Sequence, residues 1–373
     1  MTQQLKTLPA AVLKKVQEEY AHLAQTTSFS LQSLFNYQQF TLEDYCRTYH
    51  PHPQSAKLIS LVQQFSEQHG IWRSDAQHYV TCALFLYPTA SFHHMLAMVQ
   101  NCAIDYFLND TMGREIFPQL SPAAQQEART IIDRMGRVSE RLEVPPNAAP
   151  VELANYEMLR AIKNTSPENW FREFVKHYSY HLAVTHRDNN AAALHYIPSV
   201  DEYIEMRNHT SGMPHIVLLI EYSEEAFLDW EALGRLGIAP LLRKTQRAAA
   251  LIGSLMNDLF SFEKEVINNN TDANLLMSIA LNHPAFSLTE VIHYGAAIVQ
   301  EQLLEFMSGM EALRHHCRLH LASEPAVIND LQLHMGGLQR CVQASWMWQV
   351  HTRRYKQSFS IWEETQLAAK AMV

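Results

Sequence analysis

The sequence predicts an all-α fold, and three observations predict it. Glycine numbers only 11 in 373 residues, well below the usual share of about 7%, and β-rich architectures need more turn glycines than that. Strict polar–apolar alternation is scarce, whereas helical spacing recurs along the whole chain. The prolines fall between segments of helical length, where they can open or stop a helix. Predicted helices accordingly run over 10–23 after Pro9, over 54–69 after Pro51 and Pro53, and over 74–86 before Pro88. They continue over 91–111, over 123–140 after Pro118 and Pro122, over 151–163 after Pro145, Pro146 and Pro150, and over 168–184 after Pro167. The last four run over 199–211 between Pro198 and Pro214, over 240–266 from Pro240, over 288–316 after Pro284, and over 331–356 after Pro325. There is no internal repeat and no low-complexity segment. The stretch Val144-Pro145-Pro146-Asn147 reads as a loop rather than a boundary, so residues 1–373 are expected to form a single domain.

Composition excludes several function classes. A net charge of -9 argues against nucleic-acid binding, which wants a basic face. The five cysteines form no C-x-x-C pair, so reduced thiols in a cytoplasmic protein are expected. The start, Met1-Thr2-Gln3-Gln4-Leu5-Lys6-Thr7, lacks the apolar core of a secretory signal, and no apolar run is long enough for a membrane span. The 20 histidines are mostly isolated and no H-E-x-x-H occurs, which disfavours zinc hydrolysis. His186-Arg187-Asp188 has the look of a kinase catalytic loop, but Ala193 stands where an Asn is required and there is no glycine-rich loop.

The most informative stretch is Asn257-Asp258-Leu259-Phe260-Ser261-Phe262-Glu263-Lys264-Glu265. At about 100° per residue, side chains four apart drift by only about 40°, so Asn257, Ser261, Lys264 and Glu265 share one helical stripe. An amide oxygen, a hydroxyl and a carboxylate are hard ligands suited to Mg²⁺ rather than Zn²⁺. A lysine beside them suits an anion that shares the metal, such as a diphosphate. A solvated helix face would show similar spacing. Yet the preceding run Ala248-Ala249-Ala250-Leu251-Ile252-Gly253-Ser254-Leu255-Met256 is almost wholly apolar, and a helix apolar all round is buried.

The N-D-x-x-S-x-x-K-E pattern resembles the second metal motif of class I terpene synthases in its bacterial form, with Asn257, Asp258, Ser261, Lys264 and Glu265 all matching. The resemblance implies that Asn257, Ser261 and Glu265 hold one Mg²⁺ and that Lys264 touches the substrate diphosphate. Trp348-Gln349-Val350-His351-Thr352-Arg353-Arg354-Tyr355 resembles the family's W-x-x-x-[ST]-x-R-Y ending, which makes Arg354 and Tyr355 diphosphate ligands. Arg207-Asn208-His209-Thr210-Ser211-Gly212 resembles its R-x-x-T-x-G segment, where the Arg senses the diphosphate and the helix breaks at the Gly. Arg207, Gly212 and Tyr355 are thereby implied in catalysis. The interval from Arg207 to Asn257 is a few residues long for the family, with the excess expected in a loop over 223–236.

The family's Asp-rich first motif is degenerate in this chain. Asp105-Tyr106-Phe107-Leu108-Asn109-Asp110-Thr111-Met112-Gly113-Arg114-Glu115 allows two registers. In one, Asp105 leads and Asp110 trails. In the other, which counting from Tyr87-Pro88 favours, Asn109-Asp110 replaces D-D, Glu115 is the late carboxylate and Asp105 lies one turn earlier.

The resemblance spans roughly residues 70–360 and implies a helical bundle around a central apolar cavity. It implies Mg²⁺-dependent ionisation of farnesyl or geranylgeranyl diphosphate, with three ions on the bound diphosphate, and cyclisation of the cation. Phe85, Tyr106, Phe107, Met213, Trp346 and Trp348 are the expected cavity lining. A homodimer is left open. A trans-prenyltransferase would carry a second D-D-x-x-D where Asn257-Asp258-Leu259-Phe260-Ser261 stands. A non-catalytic helical protein would have neither an enclosed pocket nor Mg²⁺-dependent diphosphate binding. Arg207→Lys is expected to lose turnover while leaving the ligand-free fold intact.

Overall fold

A computed structural model describes residues 4–38, 40–74, 76–113 and 116–367. Helices and the loops between them account for the described residues, which contain no β-strand. The amino-terminal third comprises α1 (Gln4–Thr26), the short α2 (Leu31–Phe35) and α3 (Leu42–Cys46), α4 (Ser55–Gln68), α5 (Thr81–Leu86) and α6 (Phe92–Met112). Then come α7 (Pro122–Met135), α8 (Pro150–Asn164), α9 (Glu168–Thr185), α10 (Ala191–Leu194), α11 (Val200–Thr210) and α12 (Met213–Ser223). The rest is α13 (Trp230–Arg235), α14 (Ala239–Phe262), α15 (Leu275–Asn282), α16 (Leu288–His320) and α17 (Pro325–His351).

The helix starts are chemically marked. Pro122, Pro150 and Pro325 sit at the first helical position, where the missing N–H costs nothing. Ser199 and Ser287 cap α11 and α16 in reciprocal boxes with Glu202 and Glu290.

Several expected boundaries shift. The segment 74–86 is not one helix but a 3₁₀ turn at Ala76–His78 followed by α5. The helix expected to reach 140 stops at Met135, and α12, α13 and α15 lie where no helix was expected. The long interval before Asn257 is only partly loop, because α13 occupies much of 223–236.

One hydrophobic core runs from Val12 to Trp362. The long helix α14 lies at its centre, packed against α11, α12, α16 and α17. Every residue of α14 from Ala248 to Met256 is buried. The first helix is tied to the far end of the chain, since Lys15 Nζ donates to the Pro284 and Phe286 carbonyls at 2.8 and 2.7 Å. No helix among the described residues is long and apolar enough to cross a membrane.

Candidate functional site

The α-helical geometry of α14 ends at Phe262 and widens into a π-helix over Glu263–Asn268. This departs from the single α-helical stripe expected from spacing. The wider turn sends neighbouring residues to opposite sides, a use of π-turns common at functional sites. Glu263 points away, its carboxylate accepting from Tyr20 Oη (2.9 Å), Ser360 Oγ (2.7 Å) and the Ile361 amide (2.8 Å). Lys264 and Glu265 both line a cavity of ≈ 190 Å³. Asp105, Tyr106, Asn109, Arg207, Met213, Asn257, Trp348, Arg354 and Tyr355 line the same cavity.

Asn257 is oriented from both ends. Its Nδ2 donates to Gln349 Oε1 (2.9 Å) and Tyr355 Oη (2.8 Å), and its Oδ1 accepts from Arg207 Nη2 (2.9 Å). A carbonyl oxygen has two lone pairs, so one such bond leaves Oδ1 able to ligate. The Ser261 hydroxyl is buried and makes no hydrogen bond, an arrangement that costs free energy unless something coordinates the oxygen. Glu265 Oε2 accepts from Asn274 Nδ2 at 3.0 Å. This donor set, an amide oxygen, an orphaned hydroxyl and a carboxylate, fits a hard divalent cation.

Arg207 does not reach into the cavity alone. Its Nε donates to Asp258 Oδ1 at 2.7 Å, forming an ion pair whose side chains are 7% and 0% exposed. Asp258 also accepts from the Tyr203 hydroxyl and from the Leu275 amide at 3.0 Å, which fixes the start of α15. The break between α11 and α12 falls at Gly212, with φ +78°. A Cβ there would sit 3.0 Å from both His181 Cε1 and His215 Cε1, so glycine is demanded by backbone and by space. Thr210, Ser211 and Met213, around that break, line the cavity.

At the carboxyl end a 3₁₀ turn, Arg353–Tyr355, follows α17. Arg354 donates to Asp110 Oδ1 at 3.0 Å and Oδ2 at 3.3 Å, and its guanidinium lies 4.5 Å from the Tyr79 ring centroid and 5.1 Å from that of Tyr106. Burial would raise the Asp110 carboxyl, but the Arg354 charge and hydrogen bonds, then Lys264, outweigh it and hold the group below its ordinary range. Tyr355 is pushed up to about 12, chiefly by burial. It therefore stays a phenol at neutral pH, accepting from Asn257 and keeping its own proton to give.

Three residues expected in the lining lie elsewhere. Phe85 packs on Tyr49 and His351, and Trp346 on Phe35 and Phe260. Phe107 and Asp110 border a second, smaller pocket beside Tyr79. The helical positions of Phe85, Phe107 and Trp346 turn them into the core, whereas Tyr106, Met213 and Trp348 face the cavity. Glu115 lies outside the described residues.

Five residues of this region escaped the sequence reading. Asp258, Asn274 and Gln349 position the others; Asp258 stood at a matched position and Gln349 at a variable one of a matched segment, both without a role. His181 and His186 flank Asp105, with Nε2 atoms 2.7 and 3.4 Å from Asp105 Oδ1. Burial would raise Asp105, but His181 and then His186 outweigh it and hold the carboxyl well below its usual range. Five residues apart in sequence, the two histidines have no recognisable ligand spacing.

Comparison with known proteins follows the same lines. Residues 115–304 match the model of terpene synthase family 2, C-terminal metal binding. The chain is 23% identical over 315 residues to 10-epi-cubebol synthase of Sorangium cellulosum, covering 82% of this chain and 95% of that protein. Its fold is similar to that of germacradien-4-ol synthase from Streptomyces citricolor, with a TM-score of 0.69 at 19% identity over 87% of this chain and 100% of the other. It is also similar to that of linalool/nerolidol synthase from Streptomyces clavuligerus in complex with 2-fluorogeranyl diphosphate, with a TM-score of 0.68 at 16% identity over 82% and 97% of the two chains.

Proposed function

Because this chain belongs to the class I terpene synthase family, in its bacterial form, we propose that the cavity binds a linear prenyl diphosphate, farnesyl or geranylgeranyl, and converts it to a cyclic terpene with Mg²⁺ as cofactor. One observation carries the residue assignment. The buried, orphaned Ser261 hydroxyl, itself outside the cavity lining, stands in sequence between Asn257 and Glu265, which line the cavity with Arg207, Lys264, Arg354 and Tyr355.

Asn257, Ser261 and Glu265 would hold one metal ion, and Asp110 with Asn109 would contribute to the others, three in all with diphosphate bound. When bound, Mg²⁺ would supply Lewis-acid neutralisation of the leaving group. Lys264, Arg354 and Tyr355 would donate to the diphosphate oxygens, with Arg207 holding the oxygen end of Asn257 and reaching the same anion. As the allylic C–O bond breaks, its electron pair leaves on the diphosphate, and these donors stabilise the charge that develops there. The allylic cation then folds against Tyr106 and Trp348, whose aromatic faces favour a cation, and against Met213, whose bulk with theirs lines the cavity. Loss of a proton, or capture of water, ends the sequence.

The similar protein bound to 2-fluorogeranyl diphosphate supports the substrate class. Elongation by a prenyltransferase finds no such support, since the relatives are named as synthases of 10-epi-cubebol, germacradien-4-ol and linalool or nerolidol. Incubation of purified protein with each prenyl diphosphate and Mg²⁺, without isopentenyl diphosphate, followed by mass spectrometry of extracted hydrocarbons, tests the reading. Cyclic products that vanish on chelation are expected. Longer prenyl diphosphates appearing only with isopentenyl diphosphate, or no turnover of either substrate, would overturn it.

A further inference from the structure

One part of the cavity wall has a different chemistry from the α14 stripe. Asp105 on α6, His181 on α9 and His186 just past the end of α9 each offer one ligand atom, and all three atoms lie within 4.8 Å of one another. His181 and His186 are 3% and 1% exposed. The Asp105–His181 contact, at 2.7 Å, is an ordinary charge-assisted hydrogen bond. His186 is what such a bond does not explain. Its Nδ1 makes no hydrogen bond and its Nε2 has only a long ion-pair contact with Asp105, although the side chain is buried. Leaving buried polar atoms unsatisfied costs free energy, and its Nε2 stands 3.4 Å from Asp105 Oδ1.

The geometry points to a site for one divalent transition-metal ion held by Asp105, His181 and His186, separate from the oxygen-only stripe of Asn257, Ser261 and Glu265. Two imidazole nitrogens and one carboxylate suit Zn²⁺, Co²⁺ or Ni²⁺, whereas Mg²⁺ prefers oxygen alone. Tetrahedral bonds of about 2.0–2.2 Å put ligand atoms roughly 3.3 Å apart; the two histidine–Asp105 separations are 2.7 and 3.4 Å, and all three atoms lie within 4.8 Å, so small side-chain shifts would complete the site.

The outer contacts suit a ligating histidine. His181 Nδ1 lies 2.7 Å from Thr185 Oγ1, and that hydroxyl donates to the Thr210 carbonyl at 3.0 Å. Because the single Thr185 proton goes to Thr210, His181 Nδ1–H is the donor to Thr185, and Nε2, which shares a proton with Asp105 when no metal is bound, is the nitrogen that would give up that proton to ligate. Orientation of the non-ligating nitrogen in this way is what metal-bound histidines show. A metal here would join α6 and α9 and, through Thr185, brace the helix break at Gly212. It would also take Asp105 out of the diphosphate site and leave the first motif to Asn109 and Asp110.

The inference stands apart from the diphosphate reading, because its probe is Co²⁺ alone. Chelator-stripped protein titrated with Co²⁺ should show visible ligand-field absorption that saturates at a single equivalent and persists in excess Mg²⁺. His186→Gln should weaken this binding by more than about 100-fold, beyond what loss of an outer partner costs. Glu265→Gln, on the α14 stripe, should bind Co²⁺ as the parent does. If His186→Gln fails to fold by circular dichroism, Asp105→Asn takes its place with the same expectation. Absence of Co²⁺ absorption in the parent protein overturns the site, as does displacement by Mg²⁺. Undiminished binding by the folded His186 or Asp105 variant, or loss of binding in Glu265→Gln, does so too.

Discussion

The two helices that bring oxygen atoms to the cavity are prepared in opposite ways. On α14 and its π-turn, each group is set from outside: Asn257 by Arg207, Gln349 and Tyr355, and Glu265 by Asn274, while the Ser261 hydroxyl stays unpartnered. On α6 the carboxylates are already paired with cationic or imidazole groups from other elements. Asp110 holds Arg354 in a two-bond ion pair and Asp105 is matched to His181. The first arrangement is preorganised for a cation, so little has to move when one binds. The second would be an exchange: on the proposed reading, a metal taken up by Asp110 would displace Arg354, and the released guanidinium would become available to the diphosphate. On that reading, metal and diphosphate binding would be coupled on α6 through the Asp110–Arg354 pair.

The largest expected effect tests the preorganised half. Glu265→Gln should lower turnover by at least about 1000-fold, above the loss of one preorganised donor, with a melting temperature close to the parent's. Single-turnover assays across a Mg²⁺ series, paired with thermal melts, measure both. Near-parent activity at low Mg²⁺ would remove Glu265 from the metal site.

Arg207→Lys comes next. Loss of the planar fork should cost about 2–4 kcal/mol of transition-state stabilisation, roughly a 30- to 1000-fold fall in rate. The expectation that the ligand-free fold would be untouched does not survive the structure. Arg207 pairs with fully buried Asp258, and removing one member of such a pair costs about 3–5 kcal/mol. Lysine keeps the charge, so a smaller but measurable drop in melting temperature is expected. A rate loss that disappears in the Asp258→Asn background would mean that Arg207 acts only by holding Asp258.

These two residues also mark how far the sequence can be read. The all-α architecture was legible because scarce glycine and regular prolines report helix length directly. The α14 motif was legible because Asn257, Ser261, Lys264 and Glu265 are local to one element and their spacing carries geometry. Two kinds of information were hidden. Contacts between distant segments, such as Arg207 with Asp258 or Arg354 with Asp110, leave no local pattern, since each partner reads as an ordinary charged residue. Whether an aromatic faces a cavity or the core is set by small rotations of its helix, which is why Tyr106 and Phe107, adjacent in sequence, part company. The π-turn at Glu263 was likewise invisible, because the groups that hold the Glu263 carboxylate, on Tyr20, Ser360 and Ile361, lie far away in the chain.

On the exchange half, Asp110→Asn should separate two properties that move together elsewhere. Turnover should fall by roughly 10- to 100-fold, less than for Glu265→Gln, because α6 keeps Asn109 and gains no misplaced charge. Binding of inorganic diphosphate without metal should instead tighten, since Arg354 is no longer held. Isothermal titration with and without Mg²⁺ reads both. Weaker metal-free binding in the variant would show that Arg354 does not serve the diphosphate. Normal turnover in both Asp105→Asn and Asp110→Asn would take α6 out of the metal chemistry altogether.

The smallest expected effect is a pH dependence of stability, and its sign follows from the direction of the Asp110 shift. The carboxyl is held below its ordinary value of 3.8 in the folded chain, because the opposing charge and bonds of Arg354 outweigh burial. A group whose folded pKa is depressed contributes stability that is fully present above the unfolded value and is lost as pH falls through the folded one. The Asp110–Arg354 pair should therefore stabilise the protein at neutral pH by about 1.5–3 kcal/mol, the range for hydrogen bonds to charged groups. That contribution should fade below pH of about 4. Asp110→Asn lacks the titration and leaves Arg354, 6% exposed, without its partner at every pH. Urea midpoints of parent and variant should thus differ most at neutral pH and converge in acid, where the parent's Asp110 is protonated and its Arg354 equally unpaired. Asp105 titrates in both proteins and cancels from the difference. A gap that stays constant from neutral to acid pH would mean that Asp110 contributes by packing, and that the ion pair to be exchanged for metal and diphosphate carries no net stability of its own.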